Sequence, residues 1–96
     1  MDYFVYILHS IKLNRFYIGT TTDVARRVNE HNSGLYKDAY SVKGIPWTLF
    51  LTALCQSSTQ AYAVERFIKK MKSSVFIRKL KEDPELIDSI LKKCKR

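Results

Sequence analysis

The chain has few residues that interrupt regular structure, with three Gly and two Pro among 96 residues and a hydrophobic content of 46%. A chain of this length can bury one core and not two, so we expect a single domain over residues 1–96. Cysteine is scarce as well: Cys55 lies in an apolar run and Cys94 in a lysine-rich segment. That is not the pattern of a disulfide-rich secreted domain, and we expect no disulfide between the two.

Targeting signals and long apolar runs are also missing. Met1 and Asp2 lead straight into a strand-like segment, without the basic region and cleavage site of a secretory signal. The apolar runs are far shorter than the roughly 20 residues needed to cross a bilayer. The sequence therefore predicts a soluble, cytoplasmic protein without a membrane partner.

Acidic residues are outnumbered, with nine Asp and Glu against 17 Lys and Arg and a net charge of +8. Residues 1–48 carry six basic and four acidic groups, a net +2, whereas residues 49–96 carry eleven and five, a net +6. A domain this basic is attracted to polyanions, of which nucleic acid is the commonest. A solvated, lysine-coated helix face explains the composition equally well. The choice between this interpretation and nucleic-acid binding therefore depends on the sequence motifs.

Three segments have the composition of strands. Residues 3–8 (YFVYIL) form an apolar run typical of a central strand covered on both faces. Residues 15–20 follow after a short turn at Asn14, which predicts an antiparallel hairpin. Residues 47–55 (WTLFLTALC) supply the third strand. We therefore predict a small, central three-stranded antiparallel sheet.

The remaining patterns predict helices. A first helix follows the N-cap oxygens of residues 20–23 and ends at residues 32–34, and residues 35–46 form an irregular connection with room for a short helix. Ser57 and Gln60 form a capping-box signature for a long helix. Its apolar stripe contains Ala61, Val64, Ile68 and Met71. Ser73 or Ser74 caps a further helix through Leu80, and Asp83-Pro84 starts a last one. The order is β-β-α-β-α-α-α, an α/β (α+β) fold with helices flanking the sheet.

Two strand motifs centred on tyrosine stand eleven residues apart: Val5-Tyr6-Ile7 and Tyr17-Ile18-Gly19. Because side chains alternate along a strand, Tyr17 points away from Ile18 and lies on the more polar face of its strand. The structural alternative is that both tyrosines are sheet aromatics with their hydroxyls at the rim.

Polar side chains on two of the predicted helices are also candidates for a functional site. Arg27 and His31 are four residues apart and share a helix face, which places two potential cations side by side as a phosphate-binding surface does. Glu65 lies at the margin of the apolar stripe with Lys69 one turn later. The alternatives are a surface histidine and an exposed Glu-Lys pair.

Taken together, these tyrosine motifs, Arg27, residues 31–34 (HNSG) and the helical Glu65 resemble the GIY-YIG nuclease superfamily. The chain is most similar to small single-domain bacterial members and to the nuclease domain of structure-specific branched-DNA endonucleases. The resemblance covers about residues 3–82, and a C-terminal helix at about residues 83–93 looks like an addition. Val5 replaces the glycine of the first motif, and the downstream Asn that some homing endonucleases use is absent.

The resemblance implies phosphodiester hydrolysis with one divalent metal, Mg²⁺ or Mn²⁺, held by Glu65. It further implies that Arg27 contacts the phosphate and that Tyr6, Tyr17 and His31 complete the catalytic site. Which of these last three is the general base stays open. The basic residues expected to contact the DNA backbone, besides Arg27, are Lys69, Lys70, Lys72, Arg78 and Lys79.

The expected function is a metal-dependent endonuclease that recognises DNA structure rather than sequence, in DNA repair or recombination. Branched or damaged DNA is the expected partner, with RNA as a further substrate class to test. Two alternatives keep the same fold: a non-catalytic nucleic-acid-binding module, and a subunit that needs a protein partner. The chain is expected to be a monomer or a weak homodimer.

Overall fold

The computed structural model of the chain describes residues 2–34 and 39–95. Its elements are β1 (Tyr3–Ser10), β2 (Arg15–Thr21), α1 (Val24–Asn32), α2 (Ala39–Lys43), β3 (Trp47–Cys55), α3 (Ser58–Met71), α4 (Ser74–Glu82) and α5 (Pro84–Lys93). The predicted class and element order are confirmed, and α2 is the short helix for which the connection at residues 35–46 had room. Residues 35–38 of that connection lie outside the described residues.

The three strands form one antiparallel sheet in the order β2-β1-β3. The central position of β1 follows from its composition, because both of its faces are apolar and can be covered. Val5 and Ile7 are buried on one face, and Tyr6 and Leu8 on the other. Strands β2 and β3 are the two edges of the described sheet, so one side of β2 is not paired with another strand.

Two layers of helix cover the sheet. The larger core lies between the face of Val5 and Ile7 and the helices α3, α4 and α5, which contribute Val64, Ile68 and Leu80 among others. The smaller core contains Tyr6, Leu8 and Trp47, against which residues of α1 pack. Tyr17 also packs into this smaller core, so its face of β2 is covered by aromatic and apolar side chains rather than being open and polar.

The predicted helix starts are confirmed by their caps. The side chains of Asp23, Ser57, Ser73 and Asp83 each accept a hydrogen bond from a backbone N–H in the first turn of the following helix. Met71 departs from the prediction, because it is 46% exposed although the stripe placed it in the core. It is the last residue of α3, and the last turn of a helix can extend beyond the sheet on which the helix packs.

The C-terminal helix α5 packs on the same core as α3 and α4, to which it contributes Ile90. Cys55 and Cys94 are both buried in this core, and both are free thiols, as predicted. Within residues 2–34 and 39–95, none of the helices combines the length and the apolar character required to cross a membrane.

Candidate active site

Tyr6, Tyr17 and His31 form one aromatic group between the sheet and α1. The Tyr6 hydroxyl lies 3.2 Å from Nε2 of His31, a hydrogen bond in the interior of the protein. The Tyr17 ring meets the His31 ring edge-on at 4.5 Å between centroids, and it stacks beside the Tyr6 ring at 6.4 Å. Tyr6 and His31 are 1% and 2% exposed, whereas Tyr17 is only partly buried. Tyr17 is therefore the member of the group that reaches the surface.

Strand register explains why the two tyrosines meet. In the β1–β2 ladder Tyr6 lies opposite Gly19, and Leu8 lies opposite Tyr17. Positions 6 and 17 are thus diagonal neighbours on one face, which is within reach for aromatic side chains. The missing side chain of Gly19 leaves the space that the Tyr6 ring fills.

Arg27 lies on α1, one turn before His31, and its side chain is only partly buried. Its guanidinium Nη1 is 3.6 Å from Glu30, which also receives the Arg26 side chain at 3.1 Å. His31 points into the core, so the expected surface with two adjacent cations is not formed. Residues four apart differ by about 40° around a helix axis, which is enough to bury one and expose the other. The Arg27 side chain remains 37% exposed.

Glu65 connects α3 to β2. The hydroxyl of Thr20 donates a hydrogen bond to one carboxylate oxygen of Glu65, and Lys69 Nζ lies 2.7 Å from the other oxygen. The Glu65 side chain is 21% exposed. The simple alternative of an exposed Glu-Lys pair therefore accounts for only half of its contacts, since the Thr20 hydroxyl fixes the carboxylate against the strand.

Thr20 also lines a cleft of about 390 Å³, where Arg26 and Arg27 form one wall and Tyr62 of α3 another. The cleft thus brings the Arg27 guanidinium near the strand residue that holds Glu65. Tyr6, Tyr17 and His31 are not among the described residues that line it. Gly19 is adjacent to both the aromatic group and the cleft, because it lies under the Tyr6 ring and immediately precedes Thr20.

The basic residues predicted to contact the DNA backbone do not form one continuous surface. Lys69 and Lys72 line a second groove together with Arg15, while Lys70 and Lys79 are exposed on α3 and α4. The Arg78 guanidinium lies over the Phe16 ring at 5.2 Å, a contact that also stabilises the sheet.

Two residues that the sequence did not single out belong to these surfaces: Thr20 and Arg15. The strand alternation carried a signal for Thr20, because it placed this hydroxyl on the face of Phe16 and Ile18 that a helix must cover. The carboxylate that the hydroxyl meets comes from a position 45 residues later, and no local pattern reports such a contact.

The oxygen atoms of Glu65 and Thr20 are ligands of the type that a magnesium-type ion accepts. In the described part of the chain, no group of three or more His, Cys, Asp and Glu side chains is placed to hold a metal. Mg²⁺ usually keeps several waters and needs only one or two protein carboxylates together with substrate phosphate, so a cluster is not required. A partly exposed carboxylate next to a hydroxyl supplies hard oxygen ligands of the kind that it prefers.

The family model of the GIY-YIG catalytic domain matches residues 2–81. This range includes the sheet, the cleft that Arg27 lines and the groove that Lys69 lines. The chain belongs to the GIY-YIG family, a nuclease superfamily. It is 32% identical to a UPF0213 protein of Pectobacterium carotovorum subsp. carotovorum (strain PC1), with 90% of this chain and 85% of that one covered. It is also 32% identical to a UPF0213 protein of Syntrophus aciditrophicus (strain SB), with 85% and 93% covered. No solved structure gives a significant match.

Proposed function

We propose that the protein is a metal-dependent endonuclease that hydrolyses phosphodiester bonds in DNA. The observation that carries the proposal is the Thr20–Glu65 hydrogen bond. It fixes a carboxylate beside the Tyr17-Ile18-Gly19 segment and next to the cleft that Arg27 lines. Glu65 is held by a residue that lines the cleft, and Arg27 lines the cleft itself. A carboxylate and a guanidinium supply the two functions that phosphodiester hydrolysis needs from a protein, an anionic metal ligand and a cation for the phosphate.

In this proposal Glu65 would hold the Mg²⁺ or Mn²⁺ ion and Arg27 would hold a non-bridging oxygen of the scissile phosphate. When bound, the divalent ion would supply Lewis-acid polarisation of the phosphate. The Arg27 guanidinium offsets negative charge that grows on the phosphate in the transition state. Its ion pair with Glu30 is long, at 3.6 Å, and only partly buried, so a phosphate can compete with Glu30 for the guanidinium.

We assign the contact with the attacking water to Tyr17, since Tyr17 is the partly exposed member of the aromatic group. Tyr6 and His31 are buried and serve as its support: His31 packs against the Tyr17 ring and hydrogen-bonds to Tyr6. The burial of His31 leaves it no surface for a direct phosphate contact, which the sequence had allowed. A role for His31 in relaying a proton would run through Tyr6, whose hydroxyl lies 3.2 Å from His31 Nε2, because the contact with Tyr17 is one of ring packing.

The substrate we propose is DNA recognised by its structure, as in repair or recombination. The net charge of +8 supports contacts with the phosphate backbone, which carry no sequence information. A non-catalytic binding module with the same fold, or a subunit that acts only with a protein partner, is the competing proposal. The geometry around Glu65 favours the enzyme, because a module that only binds DNA has no need for a fixed carboxylate that repels phosphate.

The experiment is cleavage of labelled duplex, single-stranded, flap and four-way-junction DNA, and of RNA, with Mg²⁺, Mn²⁺ or chelator. Wild type is compared with Glu65→Gln, and Glu82→Gln on α4 is the control because it removes an exposed carboxylate of the same type. The proposal predicts metal-dependent cleavage that is lost in Glu65→Gln and kept in Glu82→Gln, with unchanged folding by circular dichroism.

Salt-sensitive binding without cleavage of any substrate would identify the binding module or the partner-dependent subunit instead. An unfolded Glu65→Gln protein would mean that the carboxylate serves the fold through Thr20, and the metal assignment would then be rejected.

A further inference from the structure

A second groove lies between β2 and the junction of α3 with α4. It measures about 490 Å³. Arg15, Lys69 and Lys72 form its rim, and no acidic side chain is among the described residues that line it. Lys69 is ion-paired with Glu65, which is not among the lining residues, so the positive charge of this groove comes chiefly from Arg15 and Lys72.

The floor of the same groove is apolar. It is formed by Phe16 and Ile18 of β2 with Ile68 and Ile77 of the facing helices. A groove that combines a cationic rim with an apolar floor matches a nucleotide, which presents a phosphate at one end and a flat, apolar base face at the other. Bases within a duplex are stacked on their neighbours, so only an unpaired nucleotide can offer that face to a protein.

The position of the groove relative to Glu65 connects it to the proposed reaction. Lys69 lines the groove and contacts Glu65 at 2.7 Å, while Thr20 contacts the same carboxylate and lines the Arg27 cleft. Glu65 therefore contacts one lining residue of each surface. A strand whose scissile phosphate lies at Arg27 and Glu65 would pass its next nucleotides along the edge strand β2 into this groove.

We propose that the groove of Arg15, Lys69 and Lys72 binds an unpaired nucleotide adjacent to the scissile phosphate. The inference rests on the proposed nuclease function and makes it more specific. The preferred substrates are DNA structures with a single-stranded segment at the cleavage point, such as a flap or a tailed duplex. The groove acts as a determinant of that preference, and Arg15 is a binding residue that the sequence did not reveal.

The test is a binding measurement with wild-type protein in chelator, so that it does not depend on catalysis. A labelled duplex with a single-stranded tail is compared with the same duplex with blunt ends, by fluorescence anisotropy at several salt concentrations. The variant Arg15→Gln/Lys72→Gln removes two rim charges and leaves Lys69, the partner of Glu65, in place. Lys92→Gln/Lys95→Gln removes the same charge from exposed positions at the end of the chain, away from the groove.

The rim variant is expected to weaken binding of the tailed duplex about tenfold, and blunt duplex no more than the control variant does. The salt dependence of tailed-duplex binding, as log K against log salt, should become shallower by about 1.4, at roughly 0.7 for each lost single-strand phosphate contact. Equal losses for tailed and blunt duplex, or no loss, would overturn the groove assignment.

The two proposals fail in distinguishable ways. Tail-dependent binding through Arg15 and Lys72 without metal-dependent cleavage by wild type would leave the groove in place and reject the nuclease. Cleavage that requires Glu65, combined with identical binding of tailed and blunt duplex, would support the nuclease and reject the groove.

Discussion

The hydroxyl of Tyr6 occupies the space in which residue 19 would carry a side chain. A Cβ atom added to Gly19 would lie 2.5 Å from the Tyr6 hydroxyl oxygen and 2.6 Å from Cζ of the same ring. The two residues are opposite each other in the β1–β2 ladder, and the Tyr6 hydroxyl forms a hydrogen bond with His31. The glycine is therefore part of what places the tyrosine.

Gly19→Ala should destabilise the protein by about 1–3 kcal/mol, the usual range for overpacking of a close-packed interior. The Tyr6 ring has to move away from its hydrogen bond with His31. Urea unfolding measures the loss, and the matched comparison is the same change in a Tyr6→Leu background, which removes the clashing atoms. A loss of equal size in both backgrounds would show that the Tyr6 ring is not the cause.

Arg27→Lys tests the planar guanidinium against a simple charge. Because lysine cannot reproduce the two-donor fork that holds a phosphate oxygen, we expect cleavage to fall by about a hundredfold or more, with DNA binding little changed. Arg26→Lys is the control: it lies next in the chain, pairs with the same Glu30 and is 74% exposed. Single-turnover cleavage and anisotropy measure the two quantities. Near-normal cleavage by Arg27→Lys would contradict the assigned role.

Asn32 joins the end of α1 to the start of β3. Its amide donates to the Trp47 carbonyl at 2.8 Å and accepts from the Trp47 N–H at 2.6 Å. Removing both partly buried bonds in Asn32→Ala should lower the free energy of unfolding by about 2 kcal/mol. Asn29→Ala, at an exposed position of the same helix, should change it far less. Because alanine has the higher helix propensity, propensity alone would stabilise both variants, and an Asn32→Ala loss no larger than that of Asn29→Ala would show that the Trp47 contact contributes little.

Asn32 also shows where the sequence stops being informative. Local patterns were sufficient for the strands, the hairpin turn and the helix caps, because each depends on neighbouring residues such as Asp23 or Ser57. The end of α1 was predicted from residues 32–34, but the bonds of Asn32 to Trp47 were not. Such contacts depend on how elements pack, and packing is not encoded in a short window of sequence.

The candidate site follows the same division. The two tyrosines, Arg27 and Glu65 were predicted from the motifs that resemble the GIY-YIG superfamily, and their catalytic roles stay a prediction. The burial of His31 was not predicted. A histidine four residues after an arginine predicts a shared helix face, but only the position of α1 over the sheet decides which of the two is covered. The partners of Glu65 were equally hidden, since Thr20 comes from a distant strand.

Cys55 should be an unreactive thiol. Burial raises its pKa above the ordinary value of 9.0, with a smaller effect of nearby Cys94 in the same direction and a hydrogen bond with the Val5 backbone opposing both. A raised pKa means that the unfolded chain loses the proton first as pH rises. The stability linked to the protonated thiol is therefore complete below about pH 9 and is lost as pH rises through the folded value.

The free energy of unfolding should accordingly fall more steeply above about pH 9 for wild type than for Cys55→Ala. Urea unfolding at several pH values measures both slopes, and the Ala variant corrects for the lysines and tyrosines that titrate in the same range. Parallel slopes would show that Cys55 keeps its ordinary pKa. Labelling of the folded protein by iodoacetamide at neutral pH should also be slow at this position.

Thr20 should control how well Glu65 binds a metal, because its hydroxyl fixes one carboxylate oxygen and so decides where the other points. Partners of this kind typically contribute 10–100-fold to metal affinity, so Thr20→Val should weaken Mn²⁺ binding by about tenfold. Thr20→Ser keeps the hydroxyl and should retain most of the affinity. Thr22→Val, an exposed threonine in the same cleft, is the control.

Mn²⁺ titration followed by electron paramagnetic resonance separates the possible roles of Thr20 without any measurement of cleavage. If the hydroxyl only stabilises the fold, Thr20→Val will unfold at lower urea concentration but bind Mn²⁺ as tightly as wild type once folded. If it orients Glu65, affinity will fall in the valine variant and return with serine, while Thr22→Val stays at the wild-type value. Equal affinity in all four proteins would remove Thr20 from the site and leave Glu65 to be positioned by Lys69 alone among its described partners.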